Sequence, residues 1–181
     1  MRLFTAIDLP EAVSWSLETL LERLRPTARL RWSPVHNMHL TTKFIGEWPA
    51  ERLQELTVAL GALPSAGQVS ITVRGLGWFP NARSPRVFWA GIEPSDGLFE
   101  LATNTEQATS RLGIQKENRK YSPHLTLARI QMPADLNALR AAIEELPSVE
   151  FGAFSPAAHY LYQSIPGAGG SKYTKIAEFP L

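Results

Sequence analysis

His39-Leu40-Thr41-Thr42-Lys43-Phe44 and His124-Leu125-Thr126-Leu127-Ala128-Arg129 are the two stretches on which the reading of this chain turns. The sequence holds four histidines, and two of them open the same triplet. Both stretches have the β-rich composition of strands, and the first closes at Gly46. On a strand, residues i and i+2 share a face. His39 and Thr41 therefore project together, as do His124 and Thr126, while Leu40 and Leu125 turn the other way, toward helices. Two such strands set side by side would gather two imidazoles and two hydroxyls.

The rest of the chain supplies a frame for them. "RLFTAI" alternates Leu3, Thr5 and Ile7 against Phe4 and Ala6, which predicts a strand. After Pro10, the stripe Val13, Leu17, Leu20, Leu21 and Leu24 predicts a helix that Pro26 ends. Leu53, Leu56, Leu60 and Leu63 mark a second helix, stopped before Pro64. "QVSITVRGLGWF" and "RVFWAGI" read as strands joined by the Pro-rich hairpin loop "FPNARSPR". Leu98, Leu101, Thr105, Ala108 and Leu112 predict a third helix with Gly113 at its end, and Leu136, Leu139, Ile143 and Leu146 a fourth between Pro133 and Pro147. Two or three further strands finish the chain, with "PGAGGS" turning between "AHYLYQSI" and "KYTKIAEF". Each motif strand is followed by a helix, which suggests two similar half-units that each give one strand to a shared centre. Contact between the two motif strands is what that arrangement requires.

Composition bounds the function. At 181 residues with 44% hydrophobic and 19% charged side chains, the chain predicts a single globular domain, residues 1–181, made of two intimately packed lobes. No stretch approaches the roughly 20 apolar residues of a membrane span, and "MRLFTAIDLPEAV" lacks a signal-peptide core, so a cytoplasmic protein without a membrane partner is expected. Zero cysteines rules out disulfides, thiolate metal sites and Cys nucleophiles. A net charge of +1 is too small for coating nucleic acid by charge alone. Yet Arg23, Arg25, Arg29 and Arg31 lead into the first motif, and Lys116, Arg119 and Lys120 into the second. Such cations suit a small anionic substrate, or else cap helices and solvate loops.

Two imidazoles can serve as acid and base near neutral pH, and a threonine hydroxyl can donate to an anionic oxygen. That set fits displacement at phosphorus, one His taking a proton from water and the other giving one to the departing oxygen. The residues alone do not say which His does which. The rival chemistry is a metal held by His36, His39 and His124, although strand spacing sets Thr rather than a ligand beside each motif His. His36 and His159 have no catalytic partner in sequence, and no nucleophile elbow or phosphate loop is present. Phe44 falls opposite the His face of a regular strand, which predicts a core residue, and Arg129 would likewise point away from His124. Trp32, Trp78, Phe79 and Tyr121 lie in or near expected loops, where one could stack on a base, with core packing the alternative.

The paired triplets resemble the H-x-T motifs of the 2H phosphoesterase superfamily. With "RLFTAIDLP", "RWSPVHNMHLTTKFIGE", "RVFWAGIE", "YSPHLTLAR" and "YLYQSIPGAGGSKYTKI", the chain is similar over nearly its whole length to the bacterial and archaeal RNA 2′,3′-cyclic phosphodiesterases, historically called 2′-5′ RNA ligases. The resemblance implies an α+β, bilobal fold of two pseudo-symmetric lobes, each an antiparallel sheet with outer helices, around a central cleft. It implies hydrolysis of a terminal RNA 2′,3′-cyclic phosphate, or of a small cyclic nucleotide, to a 2′-phosphate without metal or other cofactor. His39 would be the proton donor to the leaving 3′ oxygen and His124 the proton acceptor from water; Thr41 and Thr126 would hold the phosphate. Arg129 and Tyr121 are candidate substrate contacts, and a monomer suffices. The same site run against a 5′-hydroxyl would be a 2′-5′ ligase, and without turnover it would be a nucleotide- or RNA-binding module.

Overall fold

Two antiparallel sheets with helices between and around them form the protein, as seen in a computed structural model that describes all residues except 132, 168 and 169. The four-stranded sheet runs β3-β1-β8-β9, with β1 Arg2–Asp8, β3 His39–Glu47, β8 Ala158–Ile165 and β9 Lys172–Pro180. The five-stranded sheet runs β2-β6-β5-β4-β7, with β2 Arg31–Trp32, β4 Ile71–Phe79, β5 Val87–Pro94, β6 His124–Arg129 and β7 Glu150–Phe154. The helices are α1 Glu11–Leu24, α2 Leu53–Gly61, α3 Asp96–Arg111 and α4 Asn137–Glu144. This is the expected α+β architecture, and the apolar stripes fall where the helices form. Val13, Leu17, Leu20, Leu21 and Leu24 are the buried face of α1. Gly113, at φ +91°, sits just past the end of α3 in the left-handed conformation that glycine accepts without strain. The Ser95 hydroxyl caps α3 by accepting from the Leu98 amide.

The four strands β3-β1-β8-β9 correspond to β6-β5-β4-β7, with the two-residue β2 extra on the larger sheet. In each, the motif strand pairs antiparallel with its neighbour, β3 with β1 and β6 with β5. The helices cross between the halves. α1 follows β1 of the four-stranded sheet yet packs on β7 and α4 beside the five-stranded sheet, and α3 follows β5 yet lies against β3 and α2. One apolar core joins α1 to both sheets. It contains Ile7 and Leu40 from one, and Ile71, Val73, Phe88, Leu125 and Leu127 from the other. A smaller core under α2 gathers Leu3, Ile45, Trp48, Leu56, Leu60, Leu161 and Phe179.

Both motif strands break their regular alternation at the same place. β1 and β3 pair Ala6 with Thr41 but Thr5 with Lys43, leaving Thr42 as an extra residue. β5 and β6 pair Trp89 with Thr126 but Phe88 with Ala128, leaving Leu127 extra. A bulge of this kind shifts the parity of every following side chain. The sequence expectation for Phe44 therefore fails: it is 67% exposed rather than core, on the same face as His39 and Thr41. Arg129 is turned by the equivalent bulge onto the face of Thr126, and it too is exposed. Each bulge keeps two successive residues inside. Thr42 satisfies its buried hydroxyl against the Thr5 hydroxyl at 2.7 Å. Lys43 turns in to meet Glu106 of α3 at 2.9 Å and the Gln115 carbonyl at 3.1 Å.

His159 is 2% exposed against Phe179, and neither ring nitrogen has a partner among the described residues. Burial pushes its pKa down to about 4. Because the unfolded chain binds the proton near pH 6.5, this imidazole contributes its full stability above that pH and loses it as pH falls toward 4. From this group alone, unfolding stability at pH 5 should lie about 2 kcal/mol below its value at pH 7. In His159→Leu that part of the pH dependence should vanish, as urea midpoints at the two pH values would show.

Candidate active site

The two motif strands meet at the edges of their sheets. β3 is the outermost strand of one sheet, and on its outer side β6 is flanked only by the two-residue β2, which pairs with Ala128 and Arg129 beyond the motif. β3 and β6 approach with Cα atoms within 8 Å. A hydrogen bond spans them: the Tyr121 hydroxyl, three residues before His124, donates to the Thr41 carbonyl at 3.0 Å. Burial raises the Tyr121 pKa, which keeps the hydroxyl protonated as that bond requires. Tyr121 thus serves as a strut between the motifs in this structure.

Each motif histidine is held in the same way. His39 Nδ1 lies 2.9 Å from the Asn37 carbonyl, and His124 Nδ1 lies 2.8 Å from the Ser122 carbonyl, in both cases two residues upstream. A carbonyl oxygen only accepts, so each Nδ1 carries a hydrogen and each Nε2 is left to gain or lose the proton. Asn37 is itself tied down, its side-chain amide donating to the Ser171 carbonyl at 3.1 Å. Thr41 and Thr126, half-exposed, stand two residues along on the same faces.

The surroundings of the two rings differ. His39 stacks on Phe4 at 4.6 Å between ring centroids and meets Tyr173 edge-on at 4.9 Å. Burial lowers its pKa; the Asn37 carbonyl and the Asp8 carboxylate oppose that. Asp8 is the cross-strand partner of His39, and it also accepts from the Tyr162 hydroxyl and pairs with Lys175, each at 2.5 Å. His124 meets Phe79 edge-on at 4.9 Å, and its cross-strand partner is Gly91.

The other sequence candidates are distributed around this centre. Trp32, Trp78 and Phe79 lie in strands, not loops; Trp32 and Trp78 pack on Phe88, while Phe79 pairs with Trp89 and touches His124. His36 is exposed in a short 3-10 turn over Val35–Asn37. Among the described residues, no three His, Cys, Asp or Glu side chains converge. Arg29 and Arg31, which precede the first motif in sequence, lie instead beside the second, because β2 pairs with β6. Sequence reasoning missed Asp8, Phe4 and Trp89 as neighbours of the site. Only the pairing register brings them there, although "FTAID" and "VFWAG" do occupy equivalent positions on β1 and β5.

Residues 7–89 and 91–159 match the family model for LigT-like phosphoesterases. The chain belongs to that family. A Methanocaldococcus jannaschii protein named RNA 2′,3′-cyclic phosphodiesterase is 33% identical over 180 residues, covering 99% of this chain and all of the relative. A Thermus thermophilus protein of the same name is 33% identical over 190 residues, covering 100% of this chain and 90% of the relative. Among solved structures, one from Thermus thermophilus superposes with a TM-score of 0.83 at 32% identity, over 100% of this chain and 98% of that one. Escherichia coli LigT complexed with 3′-AMP superposes with a TM-score of 0.80 at 28% identity, over 99% and 97%. These LigT-like folds share the two antiparallel sheets described above.

If the Tyr121 strut fixes the spacing of the motifs, Tyr121→Phe should leave the fold intact. Loss of one buried hydrogen bond should cost about 1 kcal/mol in urea unfolding. Turnover on the substrate assigned below should fall through kcat more than KM, and an unchanged kcat would reduce Tyr121 to packing.

Proposed function

We propose that the chain hydrolyses the terminal 2′,3′-cyclic phosphate of RNA to a 2′-phosphate by two-histidine acid–base catalysis. The observation that carries this reading is the duplicated device. Two imidazoles are each locked at Nδ1 by a carbonyl two residues upstream, each has a threonine two residues downstream, and they lie on strands in contact. Relatives carrying the name RNA 2′,3′-cyclic phosphodiesterase align along the whole chain.

In the reaction, His124 Nε2 takes a proton from water as its oxygen bonds to phosphorus. The P–O3′ bond breaks, and His39 Nε2 passes its proton to the departing 3′ oxygen. The products are a 2′-phosphomonoester and a free 3′-hydroxyl. The hydroxyls of Thr41 and Thr126 donate to the non-bridging oxygens, whose charge builds toward the transition state. Arg129 and Phe44, turned to the motif faces by the paired bulges, stand where the rest of the terminal nucleotide passes, and the two motifs of one chain complete the site. The chemistry needs no cofactor, since the proton transfers and charge stabilisation all come from side chains.

Burial holds His39 neutral in the free protein around pH 7, and a bound phosphate anion should draw its proton affinity upward. The NMR titration of His39 should therefore have its midpoint below 6.5 and move up when a nucleoside 2′-phosphate is added. A midpoint that ignores the ligand would remove His39 from the phosphate.

The decisive assay is turnover of a short RNA ending in 2′,3′-cyclic phosphate, with chelator present. Wild type should give the 2′-phosphate with a bell-shaped pH profile, and both His39→Ala and His124→Ala should abolish it. Thr41→Ala and Thr126→Ala should each lose about 10- to 1,000-fold in kcat while remaining folded. Activity that the chelator stops, or that survives either histidine change, would sink the mechanism.

A further inference from the structure

Residues 112–123, between the end of α3 at Arg111 and the start of β6 at His124, form neither helix nor strand. Yet this segment carries the Ser122 carbonyl that holds His124 Nδ1. Its first turn is tied back to α3, the Ile114 amide donating to the Thr109 carbonyl at 3.2 Å. From Gln115 to Ser122, no main-chain group bonds to another main-chain group among the described residues. Side chains hold the segment instead. Lys43 Nζ donates to the Gln115 carbonyl at 3.1 Å, and the Glu117 amide donates to Glu106 Oε1 at 3.2 Å. Lys43 and Glu106 bind each other at 2.9 Å, and the Tyr121 hydroxyl adds its bond to the Thr41 carbonyl. Lys43 and Thr41 both belong to β3. The lock on one histidine therefore hangs from the strand of the other.

The fold does not need an ion pair at this place. The position on β6 that matches Lys43 is Ala128, turned inward by the equivalent bulge and fully buried with no polar provision. A buried ion pair is often no more stabilising than a well-packed apolar pair of the same volume. An apolar pair, however, cannot grip the carbonyl of Gln115 and the amide of Glu117. His39 has no such dependence, since its lock is the Asn37 carbonyl, steadied through Ser171. A neutral imidazole has two tautomers, and the bond made at one nitrogen selects which is present.

We propose that Lys43 and Glu106 are positioning residues for His124. They hold the segment whose Ser122 carbonyl keeps the hydrogen on Nδ1, and so leave Nε2 free to take the proton from water. The catalytic consequence rests on the phosphodiesterase reading, but the tautomer is measurable without turnover.

The test compares Glu106→Gln, Glu106→Leu and Lys43→Met/Glu106→Leu with wild type, by urea midpoint, by kinetics on a cyclic-ended RNA, and by the imidazole nitrogen shifts of both motif histidines where the rings are neutral. Glu106→Gln and Glu106→Leu both strip the Lys43 ammonium of its counter-charge, so both midpoints should fall. Only the glutamine keeps an oxygen for Lys43 and the Glu117 amide. It should stay close to the wild-type kcat, while Glu106→Leu loses about tenfold or more with KM little changed. Lys43→Met/Glu106→Leu should regain the wild-type midpoint and still show the low kcat. In both leucine variants His124 should populate both tautomers, while His39 keeps its own. A kcat that follows the urea midpoint across the variants would reduce the pair to a structural role. An unchanged His124 tautomer in the leucine variants, or equal changes in both histidines, would overturn the proposal. If wild type turns over no cyclic phosphate, the phosphodiesterase reading fails, and the tautomers alone decide the positioning role.

Discussion

Leu40 and Leu125, the middle residues of the two motifs, are fully buried in one continuous core. Everything else about the site depends on that shared burial. A strand that commits one face to a core commits its other face with equal firmness, because side chains alternate and a one-residue slip would exchange the faces. Holding both leucines in one apolar mass therefore fixes the histidine faces of two strands from distant parts of the chain. The crossing of α1 and α3 between the halves makes the arrangement hard to separate. α1 buries five apolar residues against the sheet that does not contain its preceding strand, so the five-stranded sheet cannot cover itself without the other half.

The paired bulges extend this control from the histidines to the residues after them. Without them, Phe44 and Arg129 would be driven inward, one harmlessly and the other at the cost of a buried unpaired charge. With them, two consecutive inward residues must be accommodated on each strand. On β6 these are Leu127 and Ala128, which need no special provision. On β3 they are Thr42 and Lys43, and each is met by a specific polar partner, Thr5 for the hydroxyl and Glu106 for the ammonium. Glu106 also accepts from the Glu117 amide at 3.2 Å, so the buried ion pair helps place the segment that leads to Tyr121 and His124. Removing the Glu106 carboxylate would strand a charge within the fold, which is the expensive way to break a buried pair.

The periodic information in the sequence is enough for the four helices, the motif faces and most of the strands, though not for the two-residue β2 or the order of strands within each sheet. It is enough where features follow from local spacing: the α1 stripe, the Pro boundaries, and the i, i+2 rule at His39-Leu40-Thr41. It is not enough for Phe44 and Arg129, whose orientation depends on an extra residue visible only in the pairing of β3 with β1 and of β6 with β5. A bulge leaves no mark in hydropathy when the doubled residues are Thr-Lys on one strand and Leu-Ala on the other. Nor could sequence proximity show that Arg29 and Arg31, written just before the first motif, would be delivered by β2 to the second. Tyr121 is a similar case, since its partner is a backbone carbonyl 80 residues away. Long-range pairing decides each of these, and local pattern does not.

The scaffold is nearly symmetric, yet the chemistry assigned to it requires asymmetry, because two histidines in identical settings would hold protons equally well. The structure breaks the equivalence through the residue directly across from each imidazole. For His39 that residue is Asp8, whose charge favours the protonated ring and is itself tempered by Tyr162 and Lys175. For His124 it is Gly91, and packing keeps a side chain out: a Cβ there would stand 2.4 Å from the Arg74 carbonyl oxygen. A carboxylate is thus available to one ring and sterically denied to the other. Burial against Phe4 works against the charged form of His39 in the empty site, so the balance is set for a change of state on binding. On the proposed mechanism an anion docked between the threonines would supply the missing term, and the proton it draws to His39 would be the one the leaving oxygen needs. In that mechanism substrate binding and acid activation would be one electrostatic event, which a symmetric pair of histidines could not provide.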